Sequence, residues 1–425
     1  MSDSDRSLSR TLLPHQRRSE RRTGIPLVGV ALWVLASCGG EVTPGPTVEV
    51  RDSAGVTIVE NHGAVDPSGS GWALATTATI ELGSLSGPEE SQLYRVRGAV
   101  RLTDGRIVVG NDGTRELKVF SSGGDFLESM GGEGEGPGEF TSIQLLGLTG
   151  DSLVVLDRRQ KRVSLLHPNS GFVRSFPLED AVGVYPMEGW LFGSGSVLIE
   201  DLPMSDSGVF EDGFNRTPVP YKSSDMTGAL LTDFGSLPGG EIVTITRQSD
   251  HGLATMISSV PFGKSPVTLV EGDLLYYGSH DGYSIDILGS GGALERIVRL
   301  ATDPVPVSDG DFAAYVEDDL AGFSDEEEAR TRRQDLETMP RMEFRPPHGP
   351  IFADSMGTLF VADYTMPGQE TVGVNVFDSE GKLTGRFEMA AGLEVLEIGT
   401  DYLLALIEDD LGVEYVRLYD LIRPH

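Results

Sequence analysis

The chain is poor in the residues that carry most enzyme chemistry. One cysteine occurs in 425 residues, so no disulfide can form within it. The histidines beyond the N-terminal region, His62, His167, His251, His280, His348 and His425, are scattered. No His-Glu-x-x-His and no clustered Cys/His spacing offers a zinc site. No Gly-x-Ser-x-Gly turn presents a serine nucleophile. Positive charge is scarce too, with 33 Lys and Arg against 65 Asp and Glu, a net charge of −32. A surface of that sign repels nucleic-acid phosphates and anionic headgroups, which excludes nucleic acid as a partner. Helical periodicity is rare, whereas glycine is abundant, at 54 residues. That combination favours short strands joined by many turns.

What is present begins with an address. Arg17, Arg18, Arg21 and Arg22 form a basic region, and Ile25 to Leu35 is an apolar run. The run is too short to span a bilayer and suits a secretory signal. Leu35-Ala36-Ser37-Cys38 follows and resembles a bacterial lipobox, which implies lipidation of Cys38. Residues 1–37 are thus expected to be a lipoprotein signal peptide, and 38–46 a Gly/Pro tether. The expected location is the cell envelope, periplasm-facing or on the outer membrane, with the lipid as the only membrane contact.

From residue 47 onward the chain repeats. Six short apolar runs recur: Ile107–Val109, Leu153–Leu156, Val197–Ile199, Leu274–Tyr277, Leu359–Val361 and Leu403–Ile407. Their first residues are spaced 46, 44, 77, 85 and 44 apart. Each run is too short for a helix and is apolar at consecutive positions, which requires burial on both faces. An alternating segment follows most of them, then a Gly-containing hairpin turn such as Ser122-Gly123-Gly124, then a further strand. The Gly/Pro stretch 131–138 joins the first two units; no Gly-Lys-Ser/Thr follows it, so it is not a phosphate loop. The reading is an all-β fold, a six-bladed β-propeller of four-stranded antiparallel blades spanning 47–425.

The long spacings call for insertions. An acidic stretch, Met204 to Arg216, interrupts blade three, and Pro220 marks the next strand as an edge. A helical hairpin at about 308–339 is expected between blades four and five, capped by Ser308 with Asp311 and by Ser324 with Glu327. The last blade lacks a strand, and Ala78–Leu82 is expected to close it. Thr47–Asn61 reads as an extra hairpin beside that closure.

Gly134-Glu135-Gly136-Pro137-Gly138-Glu139-Phe140 is similar to the Gly-x-Gly-Pro-Gly-x-Phe signature of NHL repeats. Asp104–Val109 with Leu117–Phe120, and Asp354–Asp363 with Val376–Asp378, resemble the same repeat. The chain therefore resembles six-bladed, TolB-like propeller lipoproteins. That superfold hosts both binding modules and enzymes, so no activity follows from it. The expectation is a non-catalytic binding or scaffold module for a protein, peptide or glycan, with no cofactor and no catalytic residue. The alternative is a calcium-dependent hydrolase or lactonase with its metal in the central channel. Its ligand candidates are Asp112, Asp157, Asp363 and Asp409, which with Asn111, Glu408 and Asp410 follow second strands and should share one level of the ring. Asp206, Glu211, Asp212 and Asn215 make an acidic loop without calcium-loop spacing. Gly278-Ser279-His280-Asp281-Gly282 reads as a hairpin turn, since adjacent residues cannot aim three side chains at one another.

Overall fold

The computed structural model describes residues 46–203, 212–249 and 252–424; Cys38, the signal segment, Asp206, Glu211, His251 and His425 lie outside them. The strands form a six-bladed propeller. Blade one comprises Val96–Arg101, Ile107–Asn111, Glu116–Phe120 and Phe126–Gly131, and blade two Gln144–Thr149, Ser152–Asp157, Arg162–His167 and Gly171–Pro177. Blade three comprises Pro186–Leu191, Val197–Asp201, Val219–Ser224 and Leu230–Leu237. Blade four has Val267–Glu271, Leu274–Gly278, Ser284–Gly289 and Leu294–Ala301, and blade five Ile351–Ala353, Leu359–Ala362, Thr371–Phe377 and Leu383–Ala390. Blade six has Glu394–Ile398, Tyr402–Glu408 and Glu414–Ile422. The innermost strands touch in the order one to six and back to one, so the ring is closed.

Each of the six apolar runs is the second strand of its blade, and its composition follows from where it sits. Successive side chains of a strand point to opposite faces, and here each face meets a different neighbouring blade. Val108 packs between blades one and two, while Ile107 and Val109 pack between blades six and one. Leu359 and Val361 face blade four, while Phe360 and Ala362 face blade six. Six such cores, one per junction, hold the ring together.

The N-terminal segment works as a belt. Ile80–Leu82 pairs with Glu414–Ile422 and completes blade six, as expected from its sequence. The hairpin β1 (Thr47–Ser53) and β2 (Val56–His62), however, does not lie beside that closure. β2 pairs in parallel with Leu294–Ala301, from Thr57 opposite Arg296 to His62 opposite Ala301, and widens blade four to six strands. The buried Ile58 and Val59 account for this placement. So does Asn61, whose amide donates to the carbonyls of Arg299 (3.0 Å) and Gly381 (2.9 Å) while its oxygen accepts from Leu383 N (2.8 Å). The hairpin thus ties blade four to blade five. The chain then crosses blade five, where Ser70 Oγ donates to the Arg386 carbonyl at 2.7 Å, before reaching blade six.

Three other expectations are corrected. Val219–Ser224 is an interior strand, not an edge. Pro220 is tolerated there because pairing with the second strand ends at Tyr221, so its missing N–H breaks no bond on that side. The 77-residue spacing is not explained by the acidic stretch alone. A hairpin, Ile242–Ser249 and Gly252–Ser259, follows blade three and forms a separate sheet with Gly213–Asn215. Two helices, α1 (Asp309–Ala321) and α2 (Glu326–Thr338), follow blade four and share a core with it through Val243, Phe312, Val316 and Leu336. α1 has the expected capping box of Ser308 with Asp311. α2 is capped by Asp325 rather than Ser324, because its carboxylate accepts from both Glu327 N and Glu328 N. Among the described residues no helix is long and apolar enough to cross a membrane.

Candidate binding site

A cavity of about 810 Å³ opens where blade four meets blade five. Its lining comes from segments distant in sequence: 63–67 after β2, the flanks of the inserted hairpin, the turn 280–283, the flanks of the helices, and blade five. Phe262, Tyr364, Val305, Phe344, Pro346 and Leu300 make it largely apolar. The helices back this wall rather than line it. Phe262 packs between Tyr315 of α1, at 5.5 Å, and Tyr364, at 6.1 Å. Burial pushes the Tyr364 hydroxyl up to about 12.

Two networks fix the polar floor. Asp281 accepts from both guanidinium nitrogens of Arg216 (2.8 and 3.1 Å) and from Lys264 (2.6 Å). Arg216 foremost, and then Lys264 and Ser279, hold its carboxyl well below the usual range against the cost of burial. On the blade-five side, Arg386 grips Asp363 and donates to Asn375 Oδ1 at 2.8 Å, and Asn375 donates to the Tyr283 hydroxyl at 2.9 Å. Arg345 is held by Asp311 at 2.9 Å, which couples the cavity wall to the first turn of α1. Each cation of the lining is therefore committed to a carboxylate.

Between these networks sit two histidines. The rings of His280 and His348 meet edge-to-face at 4.5 Å. His348 Nδ1 lies 2.8 Å from the Gly349 carbonyl, which can only accept, so Nδ1 carries the proton. His280 Nδ1 accepts from Ser265 N at 3.3 Å, so its proton sits on Nε2. Nε2 of both rings is buried without a hydrogen-bond partner among the described residues. Burial, then the neighbouring His348 and Arg216, push His280 down to about 3, and burial also lowers His348. Both rings are therefore neutral at ordinary pH. Gly278 is needed here, because a Cβ would stand 2.8 Å from His348 Cε1. Phe262 (φ +59°) and His280 (φ +61°) hold left-handed backbone, a strain of about 1–3 kcal/mol each that persists where the surroundings over-determine it and that clusters at ligand sites.

The turn 278–282 does join two blade-four strands as the sequence suggests, and it also supplies the cavity floor. The repeat offered a route to it. In blade one the residue after the second strand, Asp112, accepts from Ile143 N at the start of blade two, at 2.8 Å. The equivalent turn of blade four meets the start of blade five in the same way, which is how His280 reaches His348.

The carboxylates singled out in the sequence are dispersed among structural tasks. Asp112 pairs with Arg115 at 2.9 Å. Asp157 is fully buried and accepts from Thr141 N (2.7 Å), Ser142 Oγ (2.8 Å) and Gln160 Nε2 (2.9 Å). Asp409 caps its own hairpin turn by accepting from Leu411 N and Val413 N. Asp363 alone of the four lines the cavity, gripped by Arg386. Asn111 bonds Tyr94 N and Thr114. At the far ends of the innermost strands Glu271, Asp354 and Glu397 do interact, and Glu271 is pushed up to about 7 by burial and by the other two. Asp354 is held by Arg423 at 2.7 Å, and both oxygens of Glu397 accept, from Arg101 N and the Tyr402 hydroxyl. That donor-filled set fits a calcium ion poorly. Among the described residues one group of ligand atoms lies within 4.8 Å of one another, from Glu49, Glu60 and His62. Glu60 there is shared by Arg299 and Arg51, which opposes a cation.

Residues 84–166 match a family model described as a 6-bladed beta-propeller, DUF5128. No curated protein matches the chain. Among solved structures it is similar to a protein of Bacteroides fragilis described as exported (12% identity, 87% of this chain and 100% of that one, TM-score 0.47). It is also similar to a duf4221 family member from Bacteroides vulgatus (10%, 84% and 99%, 0.44) and to virginiamycin B lyase from Staphylococcus aureus (10%, 81% and 98%, 0.38). Likeness at this level says nothing about ligand or activity.

Proposed function

We propose that the protein is an exported, lipid-anchored propeller of the NHL-repeat, TolB-like type that acts as a non-catalytic binding module. It would take a segment of a protein, peptide or glycan into the cavity between blades four and five. The observation that carries this reading is the cavity: concave, mostly apolar, and floored by polar groups already locked to one another, which is the build of a preformed recognition site. His280 in its lining and His348 packed behind that ring are neutral, and its cations are paired, so its charged groups already have their partners before any ligand arrives. The exported, anchored state rests on the basic and apolar N-terminal segment and on Cys38.

The test is ligand screening by thermal shift on residues 44–425, in parallel with a calcium titration. Peptide or glycan hits that are lost in Tyr364→Ala support the binding module. A calcium-dependent rise of several degrees in Tm would instead favour the channel hydrolase. Lipid labelling of the full chain, compared with Cys38→Ala, tests the anchor; label retained by the variant would refute it.

A further inference from the structure

Among the described residues, β1 is the free edge of the widest sheet. Blade four carries six strands, so β1 stands two strands, about 10 Å, further out than the edge of a four-stranded blade. Its pairing with β2 is regular over all seven residues, from Thr47 opposite His62 to Ser53 opposite Val56. Every residue of β1 except Val48 is exposed, Val50 by 56%. No bulge or proline interrupts the edge, and its charged residues, Glu49, Arg51 and Asp52, carry both signs; an unpaired edge is a template for another strand, and charges of both signs choose which strand fits.

We propose that this edge is a docking surface for a second copy of the same chain, paired antiparallel about Val50. Within Val48-Glu49-Val50-Arg51-Asp52 the three central residues are complementary to themselves in that register, while Val48 falls opposite Asp52. Glu49 of each copy falls opposite Arg51 of the other, on one face of the joined sheet. Val50 meets Val50 on the opposite face. The registers two residues away pair Glu49 with Glu49 or Arg51 with Arg51, so charge selects the one centred on Val50. Inside one copy, Glu49 lies directly across from Glu60, a like-charge pair. Arg51 reaches Glu60 at only 3.4 Å, and the same Glu60 oxygen holds Arg299 at 3.0 Å. A second copy relieves both defects at once, by bringing an arginine to Glu49 and an unshared carboxylate to Arg51. The contact is isologous and closes on itself as a dimer.

The seam is small, which puts it in the weak class of interfaces. Sedimentation of residues 44–425 is expected to show a monomer–dimer equilibrium with a Kd on the order of tens of micromolar. Glu49→Arg and Arg51→Glu each place like charges opposite one another twice and should weaken association by about tenfold or more. Mixing these two variants should restore it, because the first carries only arginines at the seam and the second only glutamates. The doubly swapped E49R/R51E chain should dimerise like the wild type. Both positions are exposed, so an unchanged Tm shows that the fold is intact. A wild type still monomeric at about 0.5 mM overturns the proposal. So does a dimer indifferent to either single change, or one that the mixture fails to rebuild.

Discussion

The junction between blades one and two and that between blades four and five begin alike and end differently. Both pack alternate residues of their second strands into a shared core. Both set the turn after the second strand against the start of the next blade. At the first junction the connector 131–140 seals the contact: Phe140 N donates to Gly132 O at 2.8 Å, and the Phe140 ring is fully buried. At the second, the connector runs from 302 to 350 and carries two helices, the N-terminal belt passes by, and an inserted hairpin arrives from the side. The same plan, unsealed, leaves the cavity. Site-building in this ring is thus tied to the places where the repeat spacing breaks.

The largest expected effect sharpens the sealed side. Phe140→Ala empties a fully buried position in the core of blades one and two and should cost about 3–5 kcal/mol, read as a fall in the urea midpoint. A loss below about 1 kcal/mol would mean that the connector is not a seal. Next comes pH, which should separate the two junctions because the histidine pair belongs to one of them. His280 lies near 3 in the fold against about 6.5 when unfolded. Between those values the unfolded chain binds more protons, so stability contributed by the neutral ring is complete above about pH 6.5 and is lost as pH falls towards 3. His348 acts in the same sense. Glu271 opposes them: its folded carboxyl is near 7, so it gains stability as pH falls from 7 to its unfolded range. The difference between wild type and His280→Asn is therefore the readout. Asparagine tolerates the left-handed backbone, and the variant should be relatively stabilised by roughly 3 kcal/mol on going from pH 6.5 to 4. Parallel curves would contradict the buried neutral ring. Smaller again is Asn61→Ala, which strips three hydrogen bonds from the belt and should cost about 1–3 kcal/mol, by unfolding or by hydrogen exchange at Leu383.

Sequence reasoning reached the ring because the ring is made of local patterns. A strand buried on both faces must be apolar at consecutive positions, and six such runs at a near-constant period leave few architectures. The closing strand Ile80–Leu82 was legible because the last unit lacks a strand. The belt hairpin was misplaced because parallel pairing to Leu294–Ala301 leaves no mark near Thr47–Asn61; what fixes it is Asn61 bonding to residues more than 200 positions away. The inserted hairpin alternates like a blade strand, so its period betrays nothing about which sheet it joins. The cavity was hidden for a related reason. Its parts come from separate segments between Gly63 and Arg386, and none of them is unusual alone. His280 and His348 look scattered until the blade order is known. The carboxylates Asp112, Asp157, Asp363 and Asp409 do end strands as expected, but backbone amides and arginines take them up one by one.

The smallest effect on stability tests the open side and completes the contrast. Phe344 lies at the cavity rim, 41% exposed, beside Val305 and Arg345. Its backbone pairs with Pro306, a link that Phe344→Ala keeps. The variant should therefore unfold within about 0.5 kcal/mol of the wild type. An exposed aromatic at the mouth of a preformed pocket adds contact area only when a ligand is present, so its removal should weaken binding of a screened peptide or glycan about tenfold. Phe140→Ala and Phe344→Ala delete the same side chain at two blade junctions. If the second lowers stability as the first does, the cavity is an accident of packing between two insertions. If it leaves stability alone and removes affinity, the broken spacing between blades four and five exists to hold something.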